Sequence, residues 1–438
     1  MDSEILEDAV RRARKSGADN VDILIGETRA ISATTRLAKL ENVVQADKME
    51  VKMRLSIGKR SAVIATNNLE DLKGELFVEK AVCVAKNSPE EDAEFRPSPG
   101  ELCKNFLKMD ICDNRSVTSE ELIANALECE EAALQIDGIT NSGGAEASYF
   151  RSKITLVKND DFEASYEKTR HQISVVTLAE KNGFLEQAYD FSEKIYYSDL
   201  KSPEQIAQKA AERTLKKLGA KKISSRKVPV IFDRMVSGRL LGNLIDVLNG
   251  ASVAKGISFL RDKLFQKIFG DDFCVVDRYA IQRGLRSRPF DSDGLECSDN
   301  IIIENGALNS FFLNTKYANQ LKMKSTGNAD GFEGIAPNNV YVENGKESFL
   351  ALLKSIKNGL YITEVLGNGL NLVTGNYSQG AVGFLIENGE ITYPVSEITV
   401  AGNFMDMLSN CVLASDLEME YGINAPTILI NDMIVGGI

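Results

Sequence analysis

The sequence predicts an α+β fold: an N-terminal α+β region, then a mainly antiparallel β C-terminal domain with packed helices. Three observations carry this. Residues 1–90 read in the order helix, strand, strand, strand, helix. Residues 139–191 are polar and rich in Thr, Ser and Tyr, and lie between two well-capped helices. After residue 225 the triplet Glu-Asn-Gly recurs at 304–306, 343–345 and 387–389, and Asn-Gly accepts positive φ at both central positions of a tight turn. A chain of 438 residues is too long for one compact core. It divides into an N-terminal region 1–90, a middle region 110–220 that can share a domain with the first, and a C-terminal domain 225–438.

Taken in order, residues 2–16 form an amphipathic helix with Leu6, Ala9, Val10 and Ala13 on one side, ended by Ser16-Gly17. Asn20–Thr28 reads as a strand. From Met49 to Ile57 the chain alternates apolar and polar residues, the pattern of a half-buried strand, and Arg60–Thr66 returns beside it across Gly58-Lys59. Leu69–Lys86 is predicted helical. Residues 88–100 hold three Pro and four acidic residues and read as a long loop. Thr118–Gln135 is a helix with a Thr118-to-Glu121 capping box. Ser202 caps another, Pro203 sits at its first turn and Gly219 closes it. In the C-terminal domain helices are expected at 236–249 and 258–269. Hairpins are expected at the Glu-Asn-Gly triplets and, as a fourth candidate, at Asn431-Asp432.

Composition limits the partners. The chain is 43 % hydrophobic and 26 % charged, ordinary for a soluble globular protein. Its net charge of −12 argues against nucleic acid or an anionic membrane as main partner, since both call for clustered Lys and Arg. The one basic run, Lys216 to Lys227, follows a helix and reads as a solvated helix end and linker. No apolar run approaches the roughly 18 residues of a membrane span, and the acidic start MDSEILEDAV is no targeting peptide. Seven Cys without a CxxC suggest reduced thiols and a cytoplasmic protein.

The single histidine, His171, is the most restrictive feature. Any Ser-His-Asp or Cys-His site would have to use it, and it lies at an exposed-looking strand position that reads as surface. A zinc peptidase motif of the HExxH kind needs two imidazoles one turn apart on a helix. No Walker A loop and no GxSxG elbow occurs, and Gly367-Asn-Gly369 lacks the third glycine of a dinucleotide loop. Asp291-Ser-Asp293-Gly294 reads as an Asx turn in preference to a cation site, and Cys411 as a small apolar residue in preference to a nucleophile. The residues alone therefore indicate no competent active site.

Longer motifs add to this. The run GNYSQGAVGFLIENGEITYPVSEITVAGNF, Gly375 to Phe404, resembles the C-terminal region of the TldD/PmbA family. SRPFDSDG (287–294), IIIENGALNSFFLNTKYANQL (301–321), MKSTGNA (323–329) and PTILINDMIVGG (426–437) fit the same family. The resemblance covers nearly the whole chain. TldD-like members resemble zinc metallopeptidases, with HExxxH on the helix opening the C-terminal domain and a Cys near the C-terminus. PmbA-like members, also called TldE, share the fold without the ligands. The resemblance implies a cytoplasmic two-subunit peptidase acting on unfolded peptides.

At the helix where a TldD-like chain carries its histidines, this sequence has Ser237, Gly238, Arg239, Gly242 and Asn243. The segment 418–427, EMEYGINAPT, has no Cys. The resemblance therefore points to the PmbA/TldE branch: no catalytic or metal-binding residue and no cofactor on this chain, with zinc expected on a TldD-like partner. Gly238 and Gly242, one turn apart, each cost the helix roughly 1 kcal/mol relative to Ala. They admit a close backbone, either of a partner and peptide cavity or of this same chain. Arg288 and Asn328 are further cavity candidates, against a structural role in turns. A peptide could also add as a strand to an open sheet edge. The competing readings are a stand-alone peptide- or small-molecule-binding homodimer, and an independent hydrolase using carboxylates or Cys411.

Overall fold

The computed structural model describes residues 3–91, 93–159 and 162–437. Its N-terminal part comprises α1 (Ser3–Lys15), β1 (Asn20–Arg36), β2 (Lys39–Ile57), β3 (Arg60–Thr66), α2 (Glu75–Asn87), α3 (Ser119–Leu134), β4 (Asn141–Lys158), β5 (Phe162–Lys181), β6 (Phe184–Lys194) and α4 (Pro203–Lys217). The strands make one antiparallel sheet in the order β3-β2-β1-β4-β5-β6. β1 pairs with β4 from Asp22–Lys158 to Thr35–Ala145, so the first and middle regions share this sheet. Period-2 alternation puts Val21, Ile23 and Ile25 of β1 on one face under α1 and α2. Ile31 and Ala33, further along the same face, lie under α3 and α4. β1 therefore outruns the expected end at Thr28, because the alternation of buried residues continues to Thr35. β2 is exposed over most of 39–50, where β3 does not reach it: β3 pairs only with Val51–Ile57.

One expected helix is broken, and another forms as expected with an incomplete cap. Leu69–Lys86 is a 3-10 turn, Leu69–Lys73, broken at extended Gly74 before α2 begins. Thr118 caps α3 by accepting from the Glu121 N–H, but the Glu121 carboxylate turns to Arg115 at 2.6 Å, so only half the box forms. The α4 box is complete: Ser202 and Gln205 bond reciprocally.

The C-terminal part runs β7 (Arg226–Phe232), α5 (Arg234–Val247), α6 (Gly250–Ala254), β8 (Val275–Arg278), β9 (Asn300–Glu304), β10 (Ala307–Leu308), α7 (Thr315–Gln320), β11 (Ala329–Asp330), β12 (Gly334–Ile335), β13 (Asn339–Val342), α8 (Phe349–Ser355), β14 (Asn358–Leu366), β15 (Asn376–Glu387), β16 (Glu390–Asn403), α9 (Phe404–Ser409), β17 (Cys411–Leu413), β18 (Ile423–Asn424) and β19 (Ile428–Gly436). One sheet has the order β16-β15-β14-β7-β19-β17, and β16 also pairs with β19. Five strands thus close on themselves, which removes their free edges. A second sheet has the order β10-β9-β8-β13-β18. Pairing is mainly antiparallel, with β7–β14 and β13–β18 parallel. α5 packs against β18 and β14.

Asn305-Gly306 and Asn388-Gly389 have positive φ at both positions and turn the β9–β10 and β15–β16 hairpins as expected. Asn344-Gly345 makes no hairpin. A Cβ on Gly345 would meet the Leu413 carbonyl at 1.9 Å, so the glycine serves a close crossing of the chain instead. Asn431-Asp432 is no turn either: β19 runs through it with a bulge, the register to β7 shifting between Ile430 and Met433 and Asp432 taking φ 61°. The segment 258–269 is not helical. Three of its N–H groups bond to the neighbouring hairpin, Phe265 to the Leu308 carbonyl and Ile268 and Phe269 to that of Gly306, while those of Arg261, Lys263 and Gln266 close single turns.

Candidate functional site

The site is built around the start of α5. Asp233 caps the helix: Oδ1 accepts from the Met235 N–H at 3.0 Å and Oδ2 from the Tyr361 hydroxyl at 2.7 Å. Val236, Leu240, Leu241 and Leu244 bury one face in the C-terminal core. Ser237 is fully buried and its hydroxyl donates to the Phe232 carbonyl at 3.1 Å, a local bond within the fold. Gly238 lies under β18, where an added Cβ would sit 3.6 Å from the Ile423 carbonyl oxygen, an ordinary contact. A Cβ on Gly242 would meet nothing within 4 Å. Asn243 is half-buried and Arg239 exposed.

Gly238 and Arg239 line a cavity of about 720 Å³ between the middle region and the C-terminal domain. α4 and β6 form one wall. α5, β14 and residues 418–425 form the other. Aromatic rings face it from both sides: Tyr189, Phe191 and Tyr421 follow one another at centroid spacings of 6.3 and 5.3 Å, and Tyr361 stacks with Phe384 at 6.4 Å. Tyr189 and Phe191 alternate on one face of β6. That period-2 pattern was present in the sequence, but nothing there tied it to α5. The segment EMEYG, which lacks a Cys, supplies Glu418, Glu420 and Tyr421 to the same wall.

Arg288 and Asn328 lie elsewhere. Asn328 is fully buried, donates to Asp277 Oδ2 at 2.8 Å and accepts from the Thr326 hydroxyl at 2.6 Å. Arg288 donates to Asn338 Oδ1 and to the carbonyls of Ala329 and Ala336, each at 2.9 Å. Together they tie residues 288, 328–329 and 336–338 around β8, which is a structural assignment. Burial pushes the Asp277 carboxyl up to about 6, with the Asn328 hydrogen bond and the Arg288 charge opposing it only in part. A raised carboxyl favours the folded state fully below its unfolded value near 3.8, and that contribution is lost as pH rises through about 6. About two pKa units correspond to roughly 3 kcal/mol. Stability should therefore fall between pH 4 and 6.5, and Asp277→Asn should flatten that limb in melting curves taken across it.

The histidine is not a surface residue. His171 is 1 % exposed, on the sheet face beneath α3 and α4, with its ring 4.9 Å from that of Tyr149. A strand of mixed residues looks exposed in sequence, but its helix-facing positions are buried. Nε2 is 3.3 Å from Asp113 Oδ2, yet burial outweighs that carboxylate and holds the imidazole below its usual pKa. Asp291 accepts from the N–H groups of Asp293 and Leu295 in an Asx turn. Burial pushes the Cys411 thiol up to about 12, far from a nucleophile's range.

Among the described residues, no three His, Cys, Asp or Glu side chains converge as a metal site would need. The cavity carboxylates are engaged: Glu364 with Lys217 at 2.5 Å, Glu420 with Lys201 at 2.7 Å, Glu418 with Arg234. This donor set does not fit a zinc ion.

Residues 225–437 match the PmbA/TldA metallopeptidase C-terminal domain and residues 112–218 the central domain of the same family. The chain is 34 % identical to the metalloprotease PmbA of Escherichia coli O157:H7, over 99 % of this chain and 96 % of that protein. It is 31 % identical to a metalloprotease PmbA homolog of Haemophilus influenzae, over 98 % and 94 %. In fold it is similar to TldE from Thermococcus kodakarensis, with a TM-score of 0.87 at 21 % identity over 99 % of this chain and all of that one. By sequence along its length and by fold, this chain belongs to the PmbA/TldD metallopeptidase family, on its PmbA branch.

Proposed function

We propose that this chain is the subunit without metal in a cytoplasmic peptidase assembly, in which a TldD-like chain holds zinc and the pair processes or degrades unfolded peptides. The observation that carries this reading is α5. The helix lies at the start of the C-terminal domain beside a preformed cavity, yet presents Ser237, Gly238, Arg239, Gly242 and Asn243 with no imidazole, and Asp246 is its one internal carboxylate. A helix with one carboxylate and no histidine supports a chain that takes its metal chemistry from a partner. The seven cysteines are free, in keeping with a reducing compartment. No helix among the described residues is long and apolar enough to cross a membrane.

The test is to purify the chain alone and together with a TldD-like chain, measure zinc by mass spectrometry and follow hydrolysis of an unfolded peptide. We expect neither stoichiometric zinc nor cleavage from the isolated chain, and both from the pair. Near-stoichiometric zinc on the isolated chain would sink the reading.

A further inference from the structure

Six cations line the cavity beside α5. Five form ion pairs: Lys209 and Lys216 share Glu212, Arg213 pairs with Asp190, Lys217 with Glu364 and Arg234 with Glu418. Arg239 is the sixth. Its Nη1 donates to the Val365 carbonyl at 2.8 Å, which anchors the guanidinium, and among the described residues no carboxylate pairs with it. The helix terminus itself is closed to a ligand, because the Asp233 side chain occupies it. The cavity therefore offers one guanidinium without an ion pair among the described residues, in a volume within the roughly 300–1,000 Å³ of small-ligand sites and with aromatic rings on both sides.

We propose that this cavity binds a peptide carboxylate, with Arg239 as its charge partner and the Tyr189–Phe191–Tyr421 wall holding the apolar side chain beside it. The proposal rests on the peptide-processing reading and adds a recognition site on this chain. One free guanidinium matches one carboxylate, whereas a phosphate dianion would add a second negative charge next to Glu364, Glu418 and Glu420. An arginine fork held by one backbone bond is already oriented, so little entropy is lost on pairing. The carboxylate can be a chain terminus or an acidic side chain.

The test is calorimetric titration of the full chain with acetyl-Ala-Leu-Phe-Ala as free acid, as its C-terminal amide, and as an amide with Asp in place of the last Ala. At least one of the two carboxylate peptides, the free acid or the Asp amide, should bind about tenfold or more tightly than the plain amide. R239Q should reduce it to the plain amide's affinity, and R239K should retain part of the difference. Arg239 is exposed, so both variants should melt like the parent. Tight binding of the Asp amide assigns the source to side chains, weak binding to chain ends. Acid and Asp amide both binding no tighter than the plain amide, tight binding that is unchanged in R239Q, or no binding of any peptide overturns the proposal. If the two-chain assembly cleaves peptides but neither carboxylate peptide binds more tightly than the plain amide, the site fails and the function stands. If the acid binds through Arg239 but the assembly is inert, the function fails instead.

Discussion

Replacing Asp22 by Ala is expected to destabilise the chain by roughly 3–5 kcal/mol, the range for leaving buried charges without their counter-ion. Asp22 on β1 is 1 % exposed and stands among three cations. Arg54 on β2 donates to its Oδ2 at 2.7 and 3.1 Å, Arg96 donates to Oδ1 at 3.1 Å, and the Lys158 ammonium of β4 lies 3.3 Å away. Arg54 continues to Asp293 of the C-terminal domain at 3.1 Å, with its guanidinium over the rings of Phe95 and Phe332. One carboxylate thus organises the joint between the shared sheet and the C-terminal domain. Urea unfolding of D22A would measure the loss. Lys158→Met is the contrast. Burial lowers the pKa of that ammonium, among the described residues it makes no directed hydrogen bond, and Arg54 and Arg96 would stay on Asp22, so a similar apolar chain should come within about 1 kcal/mol of the parent. Similar losses in the two variants would contradict the account of Asp22 as the organising charge.

The same cluster sets an acid limit. Burial alone would raise the Asp22 carboxyl, but Lys158, Arg54 and Arg96 outweigh it and bring it to about 2 from an unfolded value of 3.8. A depressed carboxyl stabilises the fold fully above the unfolded value, and that share is lost as pH falls from about 4 toward 2. Asp277 works in the opposite direction between 4 and 6. Stability should therefore peak near pH 4 as far as these two groups decide it, and D22A should remove the acid limb while leaving the other.

Local patterns were legible where local physics decides. Leu6, Ala9 and Ala13 lie on the buried side of α1, Ser202 and Pro203 open α4, and two of the three Glu-Asn-Gly triplets turn hairpins. Each depends on neighbours within a few residues. The misreadings share another cause. Asn344-Gly345 and Asn431-Asp432 have turn chemistry, but a crossing at Leu413 and a bulge against β7 used it differently. Residues 258–269 carry a helical pattern, and the hairpin at 304–308 claimed the N–H groups of Phe265, Ile268 and Phe269. The cavity followed the same rule. Arg239 and Gly238 could be picked from α5 alone. Tyr189 and Phe191 could not, because only the meeting of β6 with residues 418–425 makes them a wall. Arg288 and Asn328 were plausible as polar residues in loops, and the buried Asp277 they serve turned them inward.

Gly242→Leu is expected to leave the isolated chain folded while weakening assembly with a TldD-like chain by roughly a hundredfold or more, a factor of a hundred being about 2.7 kcal/mol. Gly238 has a partial explanation within the chain, since β18 passes over it, though at 3.6 Å an Ala would also fit. Gly242 has none. A Cβ there meets nothing within 4 Å, so Gly242→Ala should stabilise the isolated chain by about 0.5–1 kcal/mol through helix propensity alone. A helix that forgoes that gain on an open face keeps the face bare for something outside the chain, and under the proposed function that is the zinc-bearing subunit or the peptide between the two. Melting temperature and sedimentation of G242A and G242L, each alone and mixed with the partner, separate the possibilities. Loss of folding in G242L alone would mean that space within this chain requires the glycine. Full assembly of a folded G242L would show that the partner does not use this face. A stable chain that no longer assembles would place the bare turn of α5 in the interface, beside the cavity that Arg239 and the aromatic wall already line.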